Sequence, residues 1–263
     1  MTHFIAALDS SGGSTGGVLD SYGAAWTEET KFSVIHQMRE RIARAPAFNQ
    51  DNLRGAILFK DSFDRGLHRI IHNRGIPTYL KIDNGLEDNG EMKPIWVEEQ
   101  VKLAQEFGAH GTKMRSVIHD TASVKKILRQ QFIVASKIPY PLTPIIEPEI
   151  SINNPNKADI EGLLAYDLYD YLDDYDGTCI LKITPPEEPN LYYNFTKHPK
   201  VSAVVFLSGG HDMQRACNLV GLNDDVRASF SRALLEGLKL TLTDEDFNAK
   251  LEYNINTIAE ASK

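Results

Sequence analysis

Lys182 stands inside the stretch TCILKIT, residues 178–184, where apolar and β-branched neighbours surround one amine. A buried lysine is costly, so it either snorkels out of a strand end or serves a site that needs an amine. Other short apolar runs carry charge at the same level. FIAALD (Phe4–Asp9) ends in Asp9, and TYLKID (Thr78–Asp83) carries Lys81 and Asp83. GTKMRS (Gly111–Ser116) carries Lys113 and Arg115, and TPIIEPEI (Thr143–Ile150) carries Glu147 and Glu149. AVVFLSG (Ala203–Gly209) runs into LSGG, and ASFS (Ala228–Ser231) into Ser231-Arg232. Central strands should be apolar on both sides, so charge recurring at one level of most strands marks a site rather than a series of accidents.

The residue types suggest a chemistry. Lys113 and Glu147 lie on the two runs before Lys182. A neighbouring cation and burial both disfavour a charged amine, and a neutral amine attacks a ketone or aldehyde to give a Schiff base. Glu147 could move the protons that carbinolamine formation and dehydration require. The structural alternative is a neutral, salt-bridged core made by the same three residues. SGG leaves the backbone bare, so amide N–H groups can approach an anion, and Ser231 and Arg232 add a hydroxyl and a fork of donors. DSSGGST (Asp9–Thr15) is a second candidate anion loop near Lys81. It is not a P-loop, because no lysine follows at the required spacing.

Those residues need a frame that brings strand ends together. GAILF (Gly55–Phe59) and CILKIT (Cys179–Thr184) complete a set of eight strands. Most intervals between them show a helical period: Phe32, Ile35 and Met38; Val97, Val101 and Ala104 with Gly108 as a stop; Val124, Ile127, Leu128 and Phe132; Ile160, Leu163, Leu164, Leu168 and Tyr171, ended by Gly177. TDEDFNAKLEYNINTIAEA has an acidic start and reads as a closing helix. Eight alternating units predict an α/β protein with a parallel sheet closed into a (β/α)8 TIM barrel, spanning residues 1–263 as one domain. An open doubly wound sheet is the competing architecture. In a barrel, chemistry belongs at the C-terminal strand ends, and the loops after strands seven and eight are the habitual phosphate site.

Composition narrows the partners. The chain has 263 residues and a net charge of −8. That balance argues against general nucleic-acid binding and against an anionic membrane surface, but leaves room for a small phosphorylated ligand held locally. No apolar run approaches a membrane span. The opening MTHFIAALD enters a strand at once, without the pattern of a signal peptide. Two cysteines, Cys179 and Cys217, have no CxxC spacing, and are expected reduced and buried in a cytoplasmic protein. HRIIH sets His68 and His72 one helical turn apart, without the glutamate of HExxH or a third ligand, so a solvated helix face is expected. DDYDG (Asp173–Gly177) lacks calcium-loop spacing and reads as a helix C-terminus. No metal site and no cofactor are expected.

AALDSSGGST, GAILF, LKIDNG, GTKMRS, PIIEPEI, LKIT, FLSGG and FSRAL occur in the order and at about the spacing of class I fructose-bisphosphate aldolase, which the chain resembles over most of its length, the bacterial branch more than the animal one. The resemblance implies a metal-independent lyase of glycolysis and gluconeogenesis acting on a sugar phosphate, with a homo-oligomer left open. It implies that Lys182 is the Schiff-base lysine and Glu147 the proton-transfer glutamate. It implies that Asp9 accepts the C4 hydroxyl proton and that Lys113 is the second active-site lysine. Ser208, Gly209, Ser231 and Arg232 correspond to the C1-phosphate site. Ser11, Ser14 and Lys81 lie near the C6 phosphate, and Arg115 is a further substrate-side residue. The chain departs from the pattern at Ser10, where the animal branch has glutamate, and at Asn84, where a lysine is common. Val18-Leu19-Asp20 replaces a segment that usually carries a basic residue. The enamine proton donor stays unassigned, since the sequence ends at Lys263 without the tyrosine-bearing tail of animal enzymes. A Schiff-base aldolase for another ketose phosphate, such as tagatose or sedoheptulose bisphosphate, and a silent sugar-phosphate-binding barrel are the alternatives.

Overall fold

The computed structural model describes residues 4–10 and 19–263. Strands and helices alternate along it: β1 (Phe4–Leu8), α1 (Lys31–Arg44), β2 (Leu53–Leu58), α2 (Lys60–Asp64), α3 (Leu67–His72), β3 (Thr78–Lys81), α4 (Val97–Glu106) and β4 (Gly111–Ile118). There follow α5 (Val124–Ala135), β5 (Thr143–Ile150), α6 (Lys157–Asp174), β6 (Cys179–Ile183), β7 (Val201–Phe206), α7 (Met213–Gly221), β8 (Arg227–Ala228) and α8 (Asp244–Ala261). The strands pair in sequence order, all parallel. The Ala7 N–H donates to the Phe230 carbonyl at 2.9 Å, which joins the first strand to the segment after the last and turns the sheet into a barrel. The expected (β/α)8 fold is the one observed, and the open sheet is excluded.

Alternation along each strand separates two cores. Ala6, Leu8, Leu58, Leu80, Met114, Ile146, Leu181, Val204 and Phe206 point outward and join the apolar stripes of the helices. Ile5, Ala7, Ile57, Tyr79, Ile145, Ile180, Ala203 and Val205 form a separate cluster inside the barrel. Side chains two apart share a face, so this inner cluster also fixes the direction of Asp9, Lys81, Glu147 and Lys182, each two residues beyond a member.

The helix stripes fall where the periodicity put them, with Ile35, Met38, Val101, Ala104, Ile127, Leu128, Leu164 and Leu168 buried. α8 starts as its acidic first turn suggests: Thr243 Oγ1 accepts from the Asp246 N–H at 3.1 Å. α6 ends at Asp174, so DDYDG is the helix terminus expected. The short α2 and α3 carry no stripe long enough to be read from sequence, whereas α7 buries Met213, Ala216, Cys217 and Val220 at i, i+3, i+4 and i+7. The segment between β6 and β7 holds a five-residue 3-10 helix, Tyr193–Lys197, rather than an α-helix.

The histidine pair departs from expectation. His68 is buried, stacked against Phe63 at 5.1 Å with Phe107 at 5.4 Å, and His72 Nε2 lies 2.7 Å from Thr78 Oγ1. The face is packed, not solvated. The sequence test missed this because the partners, Phe107 and Thr78, come from other elements. Among the described residues no group of three histidine, cysteine or acidic side chains could hold a metal ion. Cys179 and Cys217 are free and buried, and burial pushes their thiols up to about 12 and about 11. No helix among the described residues is long and apolar enough to cross a membrane.

Candidate active site

A cavity of about 510 Å³ opens at the C-terminal ends of the strands. Ten of the twelve candidate residues line it: Asp9, Lys81, Lys113, Arg115, Glu147, Lys182, Ser208, Gly209, Ser231 and Arg232. The other two, Ser11 and Ser14, lie outside the described residues. The cavity also takes in Ser10, Asp83, Gly85, Leu86, Glu149, Leu207 and Ser229. Asp83 and Glu149 were visible as charges at strand ends but had no assigned role.

At the floor, Lys113 bridges two acids. Its Nζ is 2.8 Å from Asp9 Oδ2 and 2.7 Å from Glu147 Oε2, and all three side chains are nearly closed to solvent. Burial works against the Lys113 ammonium, but Asp9, Glu147 and Asp83 outweigh it and hold the group well above the ordinary lysine range. Burial would likewise push the Asp9 carboxyl up, yet Lys113, Lys182 and Lys81 hold it well below the usual carboxylate range. Asp9 therefore rests as the anion and Lys113 as the cation.

Lys182 is placed differently. Its Nζ is 3.4 Å from Glu147 Oε1, and no other carboxylate lies in ion-pair range among the described residues. The neighbouring cation expected to act on Lys182 is present, but two carboxylates offset its charge. The salt-bridged core offered as the structural alternative exists, and it forms the floor of an open cavity.

Glu147 owes its position to a residue the motifs did not flag. The β5–β6 ladder pairs Ile145 with Ile180 and Ile146 with Leu181 and goes no further. Past that point Gln131 of α5, fully buried, donates from Nε2 to the Glu147 carbonyl at 2.9 Å and accepts the Glu147 N–H at 3.0 Å. Glu147 is also paired with Arg115 in the β4–β5 ladder, so the side-chain amide adds to strand pairing at the peptide that carries the carboxylate. One readable signal existed: Gln131 occupies the apolar stripe of Ile127, Leu128 and Ala135, where a polar residue needs a reason.

The two ends of the cavity differ in charge pairing. On one side Lys81 Nζ is 2.8 Å from Asp83 Oδ1, and Arg115 Nε is 2.5 Å from Glu149 Oε2. On the other, Arg232 is exposed and has no ion pair among the described residues. It lies against Gly210, which with Gly209 has a positive φ, 107° and 62°, that favours glycine. A Cβ on Gly210 would stand 3.3 Å from Arg232 Nη2, so a side chain there would crowd the guanidinium. Ser208 and Ser231 border the same corner. Bare backbone, two hydroxyls and an unpaired guanidinium together suit a phosphate-sized anion.

These features define a (β/α)8 barrel with a lysine–carboxylate site at its C-terminal face. No protein-family model matches the chain. Its fold is similar to that of a solved archaeal fructose 1,6-bisphosphate aldolase, at 13% identity and a TM-score of 0.60 over 98% of this chain and 94% of the other. It is similar to a structure from a study of reaction intermediates of the Schiff-base-forming fructose-1,6-bisphosphate aldolase, at 12% identity and TM-score 0.55, covering 100% and 94%. A third, an archaeal fructose-1,6-bisphosphate aldolase with its catalytic lysine bound to the carbinolamine intermediate, gives 11%, 0.55, 98% and 94%. At these identities the likeness establishes the barrel.

Proposed function

We propose that residues 1–263 form one catalytic domain, a class I, Schiff-base aldolase that reversibly cleaves fructose 1,6-bisphosphate to dihydroxyacetone phosphate and glyceraldehyde 3-phosphate. The observation that carries this is the contrast between the two lysines. Lys113 is locked between Asp9 and Glu147, whereas Lys182 stands on the cavity wall beside one carboxylate at 3.4 Å. Lys182 is the amine free to attack.

In this scheme Lys182 Nζ adds to the C2 carbonyl, and Glu147 supplies the proton with which the carbinolamine hydroxyl leaves as water. Asp9 accepts the C4 hydroxyl proton. The C3–C4 bond breaks, its electron pair moves into the iminium, and the aldehyde departs. The resulting enamine is protonated at C3, and hydrolysis of the imine returns Lys182 and releases the ketone. Lys113 keeps Asp9 ionised and stabilises charge as it develops. The protonated imine is the electron sink in this scheme, so chelator should leave the rate unchanged. The C1 phosphate is assigned to Ser208, Gly209, Ser231 and Arg232. Lys81 and Arg115, with Ser11 and Ser14, are assigned to the opposite end of the substrate.

Motif order supports the bacterial branch, and the similarity of the fold to Schiff-base-forming aldolases supports the Schiff-base class. A role in glycolysis and gluconeogenesis in the cytoplasm follows from the proposed reaction. The test is a coupled cleavage assay over fructose, tagatose and sedoheptulose bisphosphates, together with borohydride trapping of dihydroxyacetone phosphate. A secondary amine on the peptide containing Lys182 is expected. Adduct on Lys113 would overturn the assignment, and turnover of another ketose alone would change the substrate but not the chemistry.

A further inference from the structure

Arg39 lies midway along α1, on the face that carries Ile35, Ile42 and Ala43 into the core, and is 2% exposed. A helix that could have delivered an aliphatic side chain delivers a guanidinium instead. Removing a cation from water costs several kcal/mol, and here no carboxylate forms an ion pair with it among the described residues. The contacts it makes are of another kind. Its Cζ sits 4.5 Å from the centre of the Phe59 ring, and Nη1 donates to Ser62 Oγ at 3.2 Å. Nη2 donates to the Ser10 carbonyl at 2.7 Å, the shorter of its two hydrogen bonds among the described residues. Burial draws the guanidinium down to about 10, against the pull of Tyr22, Asp9 and Asp61, so it remains a cation at neutral pH.

The place of that carbonyl matters. β1 ends its ladder at Leu8, paired with Leu58, so Asp9 and Ser10 continue past the last strand pairing. The Asp9 side chain is held by Lys113. The following residue is held by Arg39 through its backbone, and Ser10 Oγ lies 3.4 Å from Ser231 Oγ. Without Arg39 the Ser10 carbonyl would lose this donor, and the Asp9–Lys113 and Ser10–Ser231 contacts would remain.

We infer that Arg39 is a positioning residue that sets the Asp9 carboxylate by holding the Ser10 carbonyl from behind the strand. The inference rests on the proton-accepting role proposed for Asp9. A displacement of about 1 Å at a reacting group costs on the order of 100-fold in rate, which sets the expected effect.

The experiment is a double-mutant cycle with Arg39→Met and Asp9→Asn, with Arg39→Lys as a variant that keeps the charge and a donor. Arg39→Met should lower kcat for bisphosphate cleavage about 100-fold with KM little changed. Borohydride trapping of dihydroxyacetone phosphate at Lys182 should keep its wild-type rate, because imine formation does not use Asp9. In the Asp9→Asn background Arg39→Met should add no further loss, and Arg39→Lys should restore part of the rate in the wild-type background. Slowed trapping, or an effect of Arg39 that multiplies with that of Asp9→Asn, would make Arg39 a general core residue and overturn the inference. A crystal structure of the Arg39 variant decides the same point without turnover. Asp9 Oδ2 should leave its 2.8 Å contact with Lys113, and an unmoved carboxylate overturns the inference. If Arg39→Met does not fold, Arg39→Lys carries both measurements, with the same directions and a smaller size. Wild-type protein that cleaves no ketose phosphate would refute the proposed function, while the position of Asp9 in the variant would still decide the role of Arg39.

Discussion

Two layers of the barrel interior, two residues apart along the same strands, are built on opposite terms. In the lower layer Ala7, Tyr79, Ile145 and Ile180 pack into one apolar cluster. In the upper layer the next residues on the same faces are Asp9, Lys81, Glu147 and Lys182, all lining the cavity. The lower layer stabilises by removing apolar surface from water. The upper layer gains far less, because desolvation offsets most of what its ion pairs return. Lys182, Glu147, Lys113 and Asp9 are nonetheless held at contact distance, which is sensible only if the arrangement has a use beyond stability. The difference teaches that one backbone periodicity can aim two layers at once, leaving residue type alone to decide which is core and which is site.

Substitutions in each layer can break that contrast. Lys182→Met should have the largest effect: cleavage falls by about 10⁴-fold or more, as for loss of a covalent nucleophile, while the unfolding midpoint moves little. A large loss of stability with residual turnover would return Lys182 to the core. Lys113→Met should come next. Removing one partner of a buried ionic cluster leaves Asp9 and Glu147 facing each other, at a cost of about 3–5 kcal/mol in denaturant unfolding. A neutral outcome would mean the two carboxylates share a proton instead.

Ile180→Ala, one layer below Lys182, should cost about 2–5 kcal/mol in the same unfolding experiment. Borohydride trapping at Lys182 should persist in the folded protein. Lost trapping at unchanged stability would show that the lower layer shapes the site directly. Arg232→Ala should have the smallest effect. The guanidinium is exposed before substrate binds, so its removal should cost about 1.5–3 kcal/mol, or about 10- to 100-fold in kcat/KM for a C1-phosphorylated ketose. Trapping of unphosphorylated dihydroxyacetone at Lys182 should survive. An equal fall in both would place the phosphate elsewhere on the rim.

Eight strands and the level of their charged ends were legible because strand alternation, helical stripes and glycine stops are local signals. Lys182, Glu147, Lys113 and Asp9 could be grouped from sequence because a barrel brings equivalent strand ends to one rim. The pairing among them was not legible. Nothing in the chain order says that Lys113 would join Asp9 to Glu147, more than a hundred positions from one partner, or that this would leave Lys182 beside a single carboxylate. The supports behind the site were half legible. Arg39 and Gln131 each interrupt an apolar helix stripe, which announces a buried polar group, but the groups they serve, the Ser10 carbonyl and the Glu147 peptide, are set by how helices dock on the sheet. His68 misled for the same reason: its neighbours Phe63 and Phe107 reach it from different elements. Periodicity and residue type act over a few residues and are written in the sequence. Ion pairing and burial depend on which distant side chains arrive within a few ångströms, and only closure of the barrel decides that.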